Sequence, residues 1–164
     1  MKRKFFTIVN VIFVFAVLTA VPALAQSTGQ ILLEPDKQSV SSGESLKVTV
    51  SIDTGGGNKV NSYQAILDYP QDKLEFDSID TDASPFNMAL EAKGENGKVT
   101  LIRGSTASLT GKNLAGVVSF KAKGEVNASE ITVNNGSAIV RSSDNSNILP
   151  GSTVQNQASS DSGG

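Results

Sequence analysis

Apolar and polar residues alternate along most of this chain in short runs separated by Gly, Asn, Ser and Asp, and a helical period is nearly absent. Alternation of period two sends every second side chain to one face, so it predicts strands with one buried and one wet side. The clearest run is Leu46-Lys47-Val48-Thr49-Val50-Ser51-Ile52-Asp53, with Leu46, Val48, Val50 and Ile52 on one face. Tyr63, Ala65, Leu67 and Tyr69 repeat the pattern against Ser62, Gln64 and Asp68, with Ile66 as an apolar exception on the polar face. Further strands are predicted at 73–78, at 86–92 with Phe86, Met88 and Leu90 inward, and at 98–103 with Val99 and Leu101 inward. The set is completed by 115–123, 131–134, 138–141 and an opening strand at 31–33. Asn96-Gly97 tolerates positive φ and predicts a hairpin between the strands around it. Nine short antiparallel strands at this spacing predict an all-β fold, a nine-stranded β-sandwich with jelly-roll topology.

Three stretches break the alternation. Gly55-Gly56-Gly57-Asn58 reads as a mobile loop, since three glycines lose too much entropy to sit in a ladder. Residues 104–114 read as a long polar connection. Residues 151–164 hold only Val154 and Ala158 as apolar residues, too few to bury a core, and read as a disordered tail. At the other end, Met1-Lys2-Arg3-Lys4 is basic and residues 5–21 are almost continuously apolar, followed by Ala23-Leu24-Ala25. This is the three-part pattern of a signal peptide, with cleavage expected between Ala25 and Gln26. An uncleaved anchor is the alternative, but 17 residues with two Thr and one Asn are short for a bilayer span of ~20. The expected organisation is therefore a leader at 1–25, one domain at 26–150 and a tail at 151–164, with a secreted or cell-surface location and no membrane span after cleavage.

Composition narrows the chemistry. The 164 residues contain no His, Cys or Trp, which excludes a Ser-His-Asp or Cys-His relay, a Cys/His zinc site and disulfides. Loss of the leader takes three of fourteen cations and none of sixteen carboxylates, so eleven face sixteen and the net charge moves from −2 to −5. With that sign and no Lys/Arg cluster, nucleic acid is not an expected partner. Asp77, Asp80 and Asp82 lack the order of a calcium loop and read as a strand end and turn, and Asp144-Asn145-Ser146-Asn147 reads as an Asx-rich turn. Glu75 and Glu91 fall in the wet phase of their strands, where nothing raises a carboxyl pKa for glycoside hydrolysis. Five aromatic residues follow the leader. Tyr63, Tyr69, Phe86 and Phe120 lie in alternating phase and only Phe76 is loosely placed, so a sugar-stacking platform is not indicated. No catalytic residue, metal or cofactor is expected. Asn127-Ala128-Ser129 and Asn135-Gly136-Ser137 match a glycosylation sequon, fortuitously for a leader of bacterial type.

Four segments in order carry a family resemblance: Ser42-Gly43-Glu44-Ser45-Leu46-Lys47-Val48-Thr49-Val50; Tyr63 through Tyr69-Pro70-Gln71-Asp72-Lys73-Leu74-Glu75-Phe76; Gly116-Val117-Val118-Ser119-Phe120-Lys121-Ala122-Lys123; and Ser137-Ala138-Ile139-Val140-Arg141 with Asp144-Asn145. Together, over about residues 30–149, they resemble the cohesin family, exported nine-stranded modules of cellulosomes and bacterial surface proteins. The resemblance implies a rigid, non-catalytic sandwich that docks a dockerin domain on one sheet face, in a fold shared with carbohydrate-binding modules. Two departures bear on the partner. Ser62 and Gln64 stand where well-characterised cohesins have an Asn and an Asp, and Tyr69-Pro70-Gln71 replaces Tyr-Asp-Pro.

The expected partner-binding residues are Ser62, Gln64, Ile66 and Asp68, with Thr100 of the neighbouring strand, because an exposed Ile among polar residues is the mixture found at modest protein interfaces. A protein partner of dockerin type is the leading reading. A polysaccharide ligand, or a structural stalk of a surface protein, are the alternatives.

Overall fold

A computed structural model describes residues 28–150, and the expected leader and tail lie outside the described residues. Eleven strands form among the described residues. β1 (Gln30–Pro35), β3 (Ser45–Asp53), β8 (Lys112–Ala122) and β5 (Leu74–Asp80) make one antiparallel sheet in the order β1-β3-β8-β5. β4 (Val60–Asp68), β7 (Lys98–Leu109) and β6 (Met88–Glu95) make the second, with β10 (Thr132–Val133) and β11 (Ala138–Arg141) sharing the free side of β4. The two-residue strands β2 (Ser39–Val40) and β9 (Val126–Asn127) pair separately, and one 3-10 turn spans Ala128–Glu130. The result is the expected β-sandwich of jelly-roll type.

The alternating phases fix what is buried. Leu46, Val48, Val50 and Ile52 from β3 meet Tyr63, Ala65 and Leu67 from β4 and Val99 and Leu101 from β7, all essentially inaccessible. Burial on this scale removes apolar surface from water and drives the two sheets together. The one buried phenol is satisfied: Tyr63 Oη donates to the Ala115 carbonyl at 3.2 Å, and its ring meets Phe86 edge-on at 4.7 Å. Burial pushes the Tyr63 hydroxyl well above its usual range, against a smaller opposing effect of the Arg103 charge.

Asn96 and Gly97 both take positive φ, 53° and 74°, and close the β6–β7 hairpin as the sequence implies. The 55–58 loop is a turn with Gly55, Gly56 and Gly57 all at positive φ. Three expectations are corrected. Residues 104–114 are not a long connection: β7 runs on to Leu109, where Leu109 pairs with Val60, and β8 starts at Lys112, leaving only Thr110 and Gly111 between them. Their polar side chains misled the reading because these strand ends sit at the rim, facing water. The 86–92 strand starts at Met88, and Met88 and Leu90 point outward, 48% and 67% exposed. A bulge between Ala89 and Glu91 reverses the phase, so Ala89, Ala92 and Gly94 oppose the inward residues Arg103, Leu101 and Val99. The third correction is Phe76, which is not loose: it lies half-buried, edge-on to Phe120 at 6.5 Å.

Phe76 also explains Gly94. A Cβ at position 94 would lie 2.2 Å from Phe76 Cγ, so the ring of one sheet's edge strand rests on bare backbone of the other. Gly94→Ala should therefore cost about 1–3 kcal/mol, as overpacking does. Urea unfolding measures it, and an unchanged midpoint would show that Phe76 does not close this edge.

Candidate functional site

The outer face of the β4–β7–β6 sheet collects the expected site residues. Along β4, Ser62, Gln64, Ile66 and Asp68 point away from the core and stand opposite Gly104, Ile102, Thr100 and Lys98 of β7. On the far side of β7, these same four positions face Met88, Glu91, Lys93 and Glu95 of β6. Four cross-strand rows result, with Ile66, Thr100 and Ile102 at their centre. Gln64, Ile66, Thr100, Ile102, Glu91 and Lys93 are among the residues lining a shallow groove of about 350 Å³.

Ile66 is half-buried rather than exposed as expected from the sequence. The 134–137 turn, between β10 and β11, covers one flank of β4: Ser137 Oγ accepts from Ile66 N–H at 3.0 Å and donates to the Ile66 carbonyl at 3.2 Å. Gln64 Nε2 donates to the Gly136 carbonyl at 2.8 Å. A Cβ at Gly136 would stand 3.2 Å from Ile66 Cδ1, so glycine lets this turn lie against the isoleucine. The centre of the face is thus held rigidly, which limits the entropy lost when a partner binds.

The charges around this centre are paired within the chain, three carboxylates with two lysines. Lys93 Nζ lies 2.8 Å from both Glu91 and Glu95, and these two carboxylates hold its ammonium charged beyond the usual lysine range. Asp68 takes Lys98 on one oxygen and Asn134 Nδ2 at 2.6 Å on the other. Partial burial raises the Asp68 pKa, but the hydrogen bonds from Lys98 and Asn134, with the Lys98 charge, outweigh it and hold the carboxyl below its usual value. A carboxyl depressed in the folded state adds stability that is present above the unfolded pKa of ~3.9 and is lost as pH falls through the folded value. Asp68→Asn should then cost up to about 1 kcal/mol at pH 7, as a half-exposed pair does. The stability gap between the two proteins should begin to narrow as pH falls below ~3.9 and close below the depressed folded value; a gap that does not narrow under acid would show that the carboxylate charge is not what Asp68 contributes.

Sequence reasoning missed Ile102, Met88, Leu90 and the Glu91-Lys93-Glu95 row. Ile102 had a signal, since it breaks the polar phase of its strand as Ile66 does. Met88 and Leu90 had none, because the bulge that exposes them leaves no mark on composition. A second cavity of about 410 Å³, which includes Thr28, Arg141, Asp144 and Pro150 in its lining, lies where the described chain begins and ends, away from this face. Within it Asp144 accepts from Ser146 N–H and Oγ–H and from Arg141, which is the expected Asx turn. Asp80 likewise accepts from Asp82 N–H at 3.0 Å, closing the turn read there.

The cohesin domain family model matches residues 31–159. This chain belongs to the cohesin family. Solved structures agree on the fold. A cohesin module from a Clostridium perfringens family 33 glycoside hydrolase superposes with a TM-score of 0.58 at 19% identity, covering 75% of this chain and 90% of that one. A type II cohesin from the cellulosome of Acetivibrio cellulolyticus gives 0.58 at 17%, covering 78% and 92%. The sixth cohesin of scaffoldin B from the same organism, solved with a Cel5 dockerin, gives 0.56 at 16%, covering 73% and 91%. No curated protein matches this cohesin in sequence. Cohesins are non-catalytic protein-docking modules, and this chain is one of them. Among its described residues no helix is long and apolar enough to cross a membrane.

Proposed function

We propose that this cohesin is an exported module that docks a dockerin-type domain on the outer face of β4, β7 and β6, within a polysaccharide-degrading or cell-surface assembly. Ser62, Gln64, Ile66, Asp68 and Thr100, with Ile102 added, form the contact. Residues 1–25 act as the leader, cleaved between Ala25 and Gln26, residues 26–150 form the module, and residues 151–164 are its Ser/Gly/Gln/Asn-rich tail. The observation that carries this reading is the apolar centre, Ile66 and Ile102 on adjacent strands, ringed by charges already paired within the chain. Such a face offers a partner apolar contact without stripping an unpaired charge of water.

A sugar ligand finds less here. Tyr63, Phe86 and Phe120 are fully buried, and Tyr69 and Phe76 pack against the core, so none of the five aromatic rings stands free to stack on a pyranose face. Calorimetric titration of residues 26–164 with calcium-loaded dockerins, the Cel5 dockerin among them, alongside retardation in gels containing cellulose, chitin or xylan, tests the reading. Binding to a dockerin with no retardation is expected. Retardation without any dockerin binding would replace the reading with carbohydrate recognition.

A further inference from the structure

We propose that Arg103 is a positioning residue that, from inside the sandwich, holds the apolar end of the docking face, Met88 and Leu90, in place; this rests on the docking reading above. Arg103 shares the inward phase of Val99 and Leu101, opposite Tyr63 on β4 and Ala89 on β6, and is 9% exposed. A guanidinium there is costly unless its donors are used. Among the described residues no carboxylate pairs with it. Its Nε donates instead to the Phe86 carbonyl at 2.8 Å, and its Nη1 to Thr81 Oγ1 at 2.9 Å.

Those two acceptors stand at the first and next-to-last residues of the 81–87 connection between β5 and β6. One side chain therefore bridges the start and finish of residues 81–86. Ser84 Oγ ties the middle by donating to the Leu114 carbonyl at 2.8 Å, and the Phe86 ring is locked under Tyr63. Two residues beyond Phe86 the chain surfaces as Met88, followed by Leu90 at the bulge, the two exposed large hydrophobic residues among those described. Among the described residues β6 is an edge strand paired only with β7, so no neighbouring strand on its outer side fixes this end. The fork of Arg103 does so from below, which an aliphatic residue in the same core position would not.

Lysine at 103 keeps the charge but cannot hold two divergent acceptors in a planar fork. In free Arg103→Lys chain, amide exchange over residues 81–90 should quicken roughly tenfold while residues 46–52 stay unchanged, since local opening is independent of the core strands. Dockerin affinity should fall roughly fivefold to tenfold in the wild-type background and hardly at all in a Met88→Ala/Leu90→Ala background, the non-additivity expected of a residue acting through those two. Wild-type exchange rates over 81–90, or an equal affinity loss in both backgrounds, would overturn the proposal. If Arg103→Lys does not fold, Thr81→Val removes one acceptor and leaves the guanidinium, and the same two readouts apply. If no dockerin binds the wild-type chain, the docking reading fails, and the exchange arm alone decides whether Arg103 holds this segment.

Discussion

Replacing Ile66 by Arg is expected to weaken partner binding by about 3 kcal/mol or more, a loss of over a hundredfold, while lowering stability by no more than about 1 kcal/mol. The asymmetry follows from position. Ile66 stands at the middle of the four rows, beside Thr100 and one row from Ile102, where a docked partner excludes water most completely. A guanidinium buried there has to compete for carboxylates that are already engaged, because Glu91 and Glu95 hold Lys93 and Asp68 holds Lys98. An unpaired charge inside an interface costs several kcal/mol. In the free protein the same arginine keeps its stem on the sheet and its head in water, so the fold hardly registers it. Lys47→Glu, exposed on the outer face of the other sheet, is the matched control and should leave binding unchanged. If Ile66→Arg binds as well as wild type, the docking surface lies elsewhere. If it melts far below wild type, Ile66 contributes to the core more than its half-buried state implies.

The largest effect on stability is expected at Phe120, where truncation to Ala should cost about 3–5 kcal/mol. Phe120 on β8 is 1% exposed and lies between Tyr69 at 5.1 Å and Phe76 at 6.5 Å. With Phe76 resting on Gly94, these rings form a continuous contact from the β4–β5 connection across β8 and β5 to the edge of the second sheet. Deleting the central ring removes its own burial and opens a cavity that its neighbours fill only partly. No disulfide compensates, since the chain has no cysteine. Against a typical total of 5–15 kcal/mol, the loss is a large share, and urea or thermal unfolding reads it directly. A cost below about 1 kcal/mol would mean that Tyr69 and Phe76 collapse into the space and that Phe120 is not the keystone of this end.

Much of this architecture was legible because alternation is a local signal. Leu46, Val48, Val50 and Ile52, or Tyr63, Ala65 and Leu67, announce their own buried face without reference to any neighbour, and Asn96-Gly97 announces its hairpin through the φ it tolerates. The candidate site was legible for the same reason: Ile66 is an apolar residue out of phase. What could not be read depends on non-local pairing. Residues 104–109 look like a loop until Leu109 is placed opposite Val60, and Met88 and Leu90 look like core until the bulge at Leu90 turns them out. Arg103 escaped notice because a lone charged residue at the end of a strand looks solvent-exposed, and only the fold brings Thr81 and Phe86 to it. The ring of paired charges was likewise invisible, since it needs β6 laid beside β7 and β4.

The most direct measurement is a nitrogen-15 NMR titration of residues 26–164 with a calcium-loaded dockerin. The docking account predicts shift changes concentrated in β4 from Ser62 to Asp68, in β7 from Lys98 to Ile102 and along β6, with the amides of β1, β3 and β8 unmoved. Changes centred on β3 and β8 instead, or the same β4–β7–β6 changes elicited by cello-oligosaccharide and not by any dockerin, would contradict it.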